Sequence, residues 1–206
     1  MKYTWPKFRL CRREQVNLFW PTKYNLKKRR TLPWQHHENM VRHSEYWKLL
    51  RNKQVLKRSY FLTEKQFAKI VKVTAAKYSK NKNIRHDFAL FQLLESRLDA
   101  LVLRSWFADT IIQARQMVNH WNFLINGEKH NIPSSYLKEW DVISVKQKLQ
   151  SSPLFSHVWT NHSIQVPSWL KVDKNNLKIE VLSLPKMWEI NTTADILKVI
   201  EFYARV

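Results

Sequence analysis

Apolar residues recur at helical spacing through the first half of the chain. Ser44 is placed to cap a helix running to about Arg58, with Tyr46, Leu49, Leu50 and Leu56 on its apolar side. Lys48, Arg51, Lys53 and Lys57 lie elsewhere on its surface. Thr63-Glu64-Lys65-Gln66 is a capping box, and the helix it opens sets Phe67, Ile70, Val71 and Thr74 at i, i+3, i+4 and i+7. The polar run Ser79 to Asn83 reads as a loop. Asp87 is placed to cap a further helix whose buried stripe is Phe91, Leu94, Leu98, Leu101 and Val102, with Arg97 and Arg104 sharing another face. Thr110-Ile111-Ile112-Gln113 is a second capping box; its short helix buries Ala114 and Val118, presents Arg115 and ends near Asn119.

The period then changes. Phe123-Leu124-Ile125 runs into Asn126-Gly127, the strongest short hairpin signal, with glycine where a type I′ turn needs positive φ. Ile132-Pro133 closes the return strand, Val142 to Val145 makes another, and Lys178 to Leu182 one more. Asn191 or Thr193 caps a last helix with Ile196, Val199, Ile200 and Tyr203 on one side, which must dock, most simply on the N-terminal helices. The pattern predicts an α+β protein: a basic helical domain with an extended N-terminal arm (residues 1–83), a compact module of two short helices on a small antiparallel sheet (84–150), and a C-terminal extension (151–206).

Composition narrows the chemistry. The 206 residues include one glycine and one cysteine. Dinucleotide turns, P-loops and kinase lids need several glycines so that backbone N–H groups can reach phosphates, so none is built here. Cys11 alone excludes an internal disulfide and a multi-thiolate zinc site. No apolar run approaches the length of a membrane span, and a soluble intracellular protein with no membrane partner is expected. His36, His37 and His43 have no cysteine or carboxylate at ligand spacing, so no metal and no cofactor is expected. Asp99, Asp109 and Asp141 sit beside caps and turns, and no nucleophile motif accompanies them, so no catalytic residue is assigned.

Charge is concentrated rather than spread. The formal net charge is +20; residues 1–60 hold 16 basic and 3 acidic residues, and residues 61–90 hold 7 and 2. Such a distribution serves a polyanion, nucleic acid first. The early clusters Lys7, Arg9, Arg12, Arg13 and Lys27, Lys28, Arg29, Arg30 are interleaved with Trp5, Phe8, Phe19, Trp20, Tyr24 and Trp34 and broken by Pro6, Pro21 and Pro33. They read as an irregular arm crossing phosphates, with rings available for stacking.

Several segments together carry a family pattern. Ser96-Arg97-Leu98-Asp99, Phe107-Ala108-Asp109-Thr110, Ala114 to His120, Ile125-Asn126-Gly127 and Asp141 to Val145 resemble the S-four RNA-binding module. Phe8 to Glu14, Tyr46 to Gln54, Glu64 to Phe67, Ser168 to Asp173 and Ala194-Asp195-Ile196 extend the resemblance, in order, to the small-subunit ribosomal protein "S four" family. The resemblance implies a helical basic domain completed by the C-terminal helix, with the module inserted. It also implies binding to small-subunit rRNA at a multi-helix junction early in assembly, near the side where mRNA enters and beside the S-five protein. Family glycines are replaced at Ser96, around Trp121-Asn122 and at Trp140, and the four-cysteine zinc knot of some members is reduced to Cys11.

The residues assigned to RNA are Arg9, Arg12, Arg13, Lys28, Arg29, Arg30, Arg51, Lys53, Lys57, Arg58, Arg97, Arg104, Thr110, Arg115, Gln116, His120, Asn126 and Lys129. Arg97, Arg115 and His120 match RNA-facing positions of the module. Arg115 is expected on the surface, near a capped helix N-terminus that offers N–H groups to phosphate. The structural alternative for Arg97 is pairing with Asp99 or Glu95, and for His120 a contact with helix-end carbonyls.

A non-enzymatic constituent of the small ribosomal subunit is expected. The alternatives are a free-standing RNA chaperone or translational regulator, and an RNA-modifying enzyme carrying the same module. Abundant Lys and Asn, one glycine and ten tryptophans point to a gene biased against GC in which an extra codon is read as Trp. With the family pattern starting within ten residues of Met1, a mitochondrial ribosome is expected; a plastid or the bacterial cytoplasm is the alternative.

Overall fold

The computed structural model describes residues 6–19, 31–33, 44–80, 85–156, 158, 166–186, 189 and 194–205, without the side chains of Tyr78 and Lys80. Lys27, Lys28, Arg29, Arg30, Trp5, Trp20, Tyr24, Trp34, the three early histidines, Asn191 and Thr193 lie outside this set. The chain divides into two compact units, Met1–Leu90 with Asn191–Val206, and Phe91–Ile190.

In the first unit, residues expected as irregular arm form a helix, α1 (Lys7–Glu14), which buries Leu10, Cys11 and Glu14 at i, i+1 and i+4. Pro6 precedes the first turn, where its missing N–H costs no helical bond, and Arg12 and Arg13 fall in the last turn against the negative end of the dipole. Helix α2 (Glu45–Ser59) is capped by Ser44, whose hydroxyl accepts from the Trp47 N–H at 3.3 Å. Both arms of the capping box open α3 (Glu64–Lys80): Gln66 N–H to Thr63 Oγ1 at 3.4 Å and Thr63 N–H to Gln66 Oε1 at 3.2 Å. Phe67, Ile70, Val71 and Thr74 are buried, as their spacing requires. The final helix, here α8 (Ile196–Arg205), docks on the N-terminal helices: Phe202 lies 5.6 Å from the Tyr46 ring and Tyr203 6.0 Å from Phe67, centroid to centroid. Asp195 Oδ1 accepts from the Leu197 N–H at 3.1 Å at its start.

Where one helix was expected after Asp87, there are two, α4 (His86–Glu95) and α5 (Leu98–Arg104). Asp87 sits within the first turn of α4, one residue past its start, and its Oδ1 accepts from the Phe88 N–H. The break at Ser96-Arg97 is satisfied from outside. Arg97 bridges Tyr136 in extended conformation, Leu98 N–H donates to Ser135 O at 2.9 Å, and Leu137 N–H donates to Ser96 O at 2.9 Å. The apolar stripe survives, since Phe91, Leu94, Leu98, Leu101 and Val102 are all buried.

The second unit packs α5 and α6 (Ile111–Asn119) with a five-stranded antiparallel sheet of order β2-β1-β3-β5-β4. Its strands are β1 (Phe123–Ile125), β2 (Glu128–His130), β3 (Val142–Val145), β4 (Leu170–Asp173) and β5 (Lys178–Val181). Asn126 (φ 50) and Gly127 (φ 89) make the two-residue turn between β1 and β2, with Ile125 opposite Glu128. Helix α7 (Gln147–Gln150) and a 3-10 turn (Pro153–Phe155) follow β3. Phe155 is fully buried, edge-on to Phe107 and Phe123 at 6.2 and 6.4 Å.

The expected division at 83/84 and 150/151 differs from the two units, and strand pairing is the reason. β5 pairs with β3, Ile143 opposite Ile179, and β4 pairs with β5, so residues 166–186 complete the module's sheet instead of forming an extension. Trp106, Trp121 and Trp140 all hold positive φ, 62, 61 and 70°. Trp121 and Trp140 fall where the family resemblance marks replaced glycines.

Candidate nucleic-acid interface

Helix α6 begins with Thr110, whose Oγ1 accepts from the Gln113 N–H at 3.2 Å. The reciprocal bond of the box lands one residue early, because Gln113 Oε1 accepts from the Asp109 N–H at 3.0 Å. Ile111, Ala114, Met117 and Val118 face the core, which turns Gln116, Asn119 and His120 to solvent and leaves Arg115 half-buried. His120 ends the helix through its backbone N–H, which donates to Gln116 O at 3.0 Å, and its residue is exposed. Lys129 is exposed on β2. Asn126 serves the turn: its Nδ2 donates to Asp141 Oδ1 and its Oδ1 accepts from the Val142 N–H, both at 2.9 Å.

Arg97 does not project outward. It is 3% exposed, and its Nε and Nη2 donate to Asp99 Oδ1 and Oδ2 at 3.0 and 2.9 Å. Asp99 also accepts from the Ala100 N–H at 3.0 Å and from Arg115 Nε at 3.1 Å. A buried carboxylate with four donors holds two guanidinium groups beneath α6, so the cluster keeps one net positive charge. Burial pulls Arg115 below its ordinary value, Asp99 opposes that, and Arg97 reinforces it. The group stays charged. Arg104 is likewise committed, donating from Nε and Nη2 to the buried Glu95 at 2.9 and 2.6 Å.

The first unit repeats the device. Glu14, buried, accepts from Arg51 Nη1 at 2.9 Å and also from Arg58 Nη1. Burial pushes the Glu14 carboxyl up despite both arginines. Glu64 takes Lys53 at 2.9 Å, Lys57 at 2.8 Å and the Tyr203 hydroxyl at 2.9 Å. Partial burial pushes its carboxyl up, but these three donors outweigh that and hold it at about 2. The Tyr203 hydroxyl is raised by burial and by the carboxylate beside it. Lys53 also lies 4.3 Å from the Phe202 ring centroid. Arg12 donates to Thr31 O at 2.8 Å and to Leu32 O at 3.1 Å, while Arg9 and Arg13 are exposed on α1.

Four carboxylates thus hold Arg51, Arg58, Lys53, Lys57, Arg97, Arg104 and Arg115, seven of the cations assigned to RNA. Arg9, Arg13, Gln116, His120, Asn126 and Lys129 are exposed, and Lys28, Arg29 and Arg30 lie outside the described residues. Sequence reasoning missed Glu14 as an organising group. The signal was present: it is the one acid among the first 30 residues, which carry ten bases.

The Arg97–Asp99–Arg115 cluster, the capped helix α6 and the hairpin strands β1 and β2 all fall within one family match, which places the chain in the S4-domain class. The family description "S4 domain" matches residues 96–143, starting at the break between α4 and α5, and "Ribosomal protein S4/S9 N-terminal domain" matches residues 2–95. The small ribosomal subunit protein uS4 of Dictyoglomus turgidum is 37% identical over 99% of each chain. Those of Symbiobacterium thermophilum (uS4A) and Thermotoga petrophila are each 36% identical over 99% of each chain. The chain belongs to the small ribosomal subunit protein uS4 family.

Proposed function

We propose that this chain is a structural, non-catalytic constituent of a small ribosomal subunit, which it joins by binding small-subunit rRNA. The carrying observation is the end-to-end match to small-subunit relatives, both units included. The charge distribution supports the same reading independently. Contact falls to α6, through the half-buried Arg115 and the exposed Gln116 and His120, to Lys129 and Asn126 at the hairpin, and to Arg9, Arg12, Arg13, Lys28, Arg29 and Arg30 near the N-terminus. Thr110, Arg97, Arg104, Arg51, Lys53, Lys57 and Arg58 hold the supporting framework. Structured RNA is read largely through phosphate, 2′-OH and shape, which these donors suit.

The binding point is a multi-helix junction occupied early in assembly, near where mRNA enters and beside the S-five protein. Chemical probing of naked small-subunit rRNA with and without the chain tests this: protections converge on one junction, and scattered or absent protection contradicts it. The ribosome is mitochondrial on this reading, supported by the near-absence of glycine alongside ten tryptophans. A gene read in the standard code removes that support, and the alternative is then a plastid or the bacterial cytoplasm.

A further inference from the structure

The cations held by carboxylates throw a different set into relief. Opposite the buried stripe of α3, its outer side carries Lys65, Lys69 and Lys72 at i, i+4 and i+7. All three are exposed, and among the described residues none has an ion-pair or hydrogen-bond partner. The one acid of α3, Glu64, is turned to Lys53, Lys57 and Tyr203. At 1.5 Å rise per residue the row spans roughly 10 Å of helix axis. A surface that only keeps a protein in solution interleaves both signs, whereas a row of one sign serves a polyanion.

We propose that the outer face of α3 is a further RNA contact, with Lys65, Lys69 and Lys72 lying along the phosphate backbone of the RNA the chain binds. This rests on the rRNA reading above. Ammonium groups meet phosphates as point charges without reading bases, so the contact positions and does not select. Ala68, Val73 and Ala76 line the same shallow groove, and their small side chains let a sugar–phosphate edge approach. A protein interface draws its energy from large anchors such as Trp, Tyr or Arg, and this floor offers none, so charge is the attraction available.

The full chain and a variant carrying Lys65→Gln, Lys69→Gln and Lys72→Gln are titrated with small-subunit rRNA between roughly 50 and 200 mM salt. The expected result is an unchanged melting temperature and a log–log salt slope shallower by roughly 2–3. Acetylation of the three lysines falls several-fold in the binary complex. An unchanged slope with lysines still reactive in that complex overturns the α3 assignment and leaves the rRNA reading standing. Lysines reactive on RNA alone but protected in the intact subunit also overturn it, assigning the face to an acidic protein. A wild-type chain that does not bind the rRNA overturns both readings.

Discussion

Arg115 Nε donates at 3.1 Å to Oδ2 of Asp99, a residue with no exposed surface, so the exposed side of α6 is held from below by a carboxylate that also grips Arg97. The two arginines are therefore unequal. Removing Arg97 leaves a buried carboxylate with a single side-chain donor, whereas removing Arg115 leaves the bidentate pair intact.

Arg97→Ala is expected to cost about 3–5 kcal/mol, as breaking a buried pair does. Arg115→Ala costs about 1 kcal/mol in folding and about 1–3 kcal/mol in RNA affinity. Urea denaturation and RNA titration of both variants check the order. Equal stability losses would show that Asp99 does not distinguish them.

Glu64 makes stability depend on pH in a defined direction. Its folded value of about 2 lies below the ordinary 4.5, so its contribution is present above pH 4.5 and lost as pH falls towards 2. Its side chain is 47% exposed, so screening keeps the contribution small. The melting-temperature gap between wild type and Glu64→Gln should be open at pH 7 and closed near pH 2. A gap constant with pH contradicts the triad of Lys53, Lys57 and Tyr203.

At Gly127 an added Cβ would meet nothing within 4 Å, so any penalty there comes from φ +89° alone. Gly127→Val is expected to cost about 1–3 kcal/mol, and Gly127→Asn clearly less, since Asn tolerates the left-handed region. Calorimetry of the two variants decides it; equal costs would implicate packing instead.

Trp140 reverses the usual rule for tryptophan. It is 74% exposed and held at φ 70°. Trp140→Gly removes left-handed strain of about 1–2 kcal/mol against a glycine entropy loss of about 1 kcal/mol, so stability holds or rises slightly. A loss above about 3 kcal/mol, the cost of deleting a packed Trp, would contradict the exposure.

Periodicity found α2, α3 and α6, because each pairs a cap with an apolar stripe, and α8 by its stripe alone, and Asn126-Gly127 located the hairpin. It missed α1 because charge dominates that stretch, and its buried face is only Leu10, Cys11 and Glu14. It joined α4 to α5 because the apolar period runs unbroken across Ser96-Arg97, while the break is set by Tyr136, Ser135 and Leu137 far along the chain. Strand β5 was legible but not its partner, since Ile143 opposite Ile179 is a long-range pairing. No local signal announces positive φ at Trp106. At the site, charge density was readable, but which cations are held by acids was not, because Arg51 and Arg58 meet Glu14 across 37 and 44 residues.

Sedimentation of a salt-washed extract through a gradient, with the chain quantified in every fraction, decides whether the chain is a constituent of the small subunit. One copy per small subunit, co-sedimenting with the small-subunit rRNA, is the expected result. A pool confined to the top of the gradient, absent from small subunits, would contradict it.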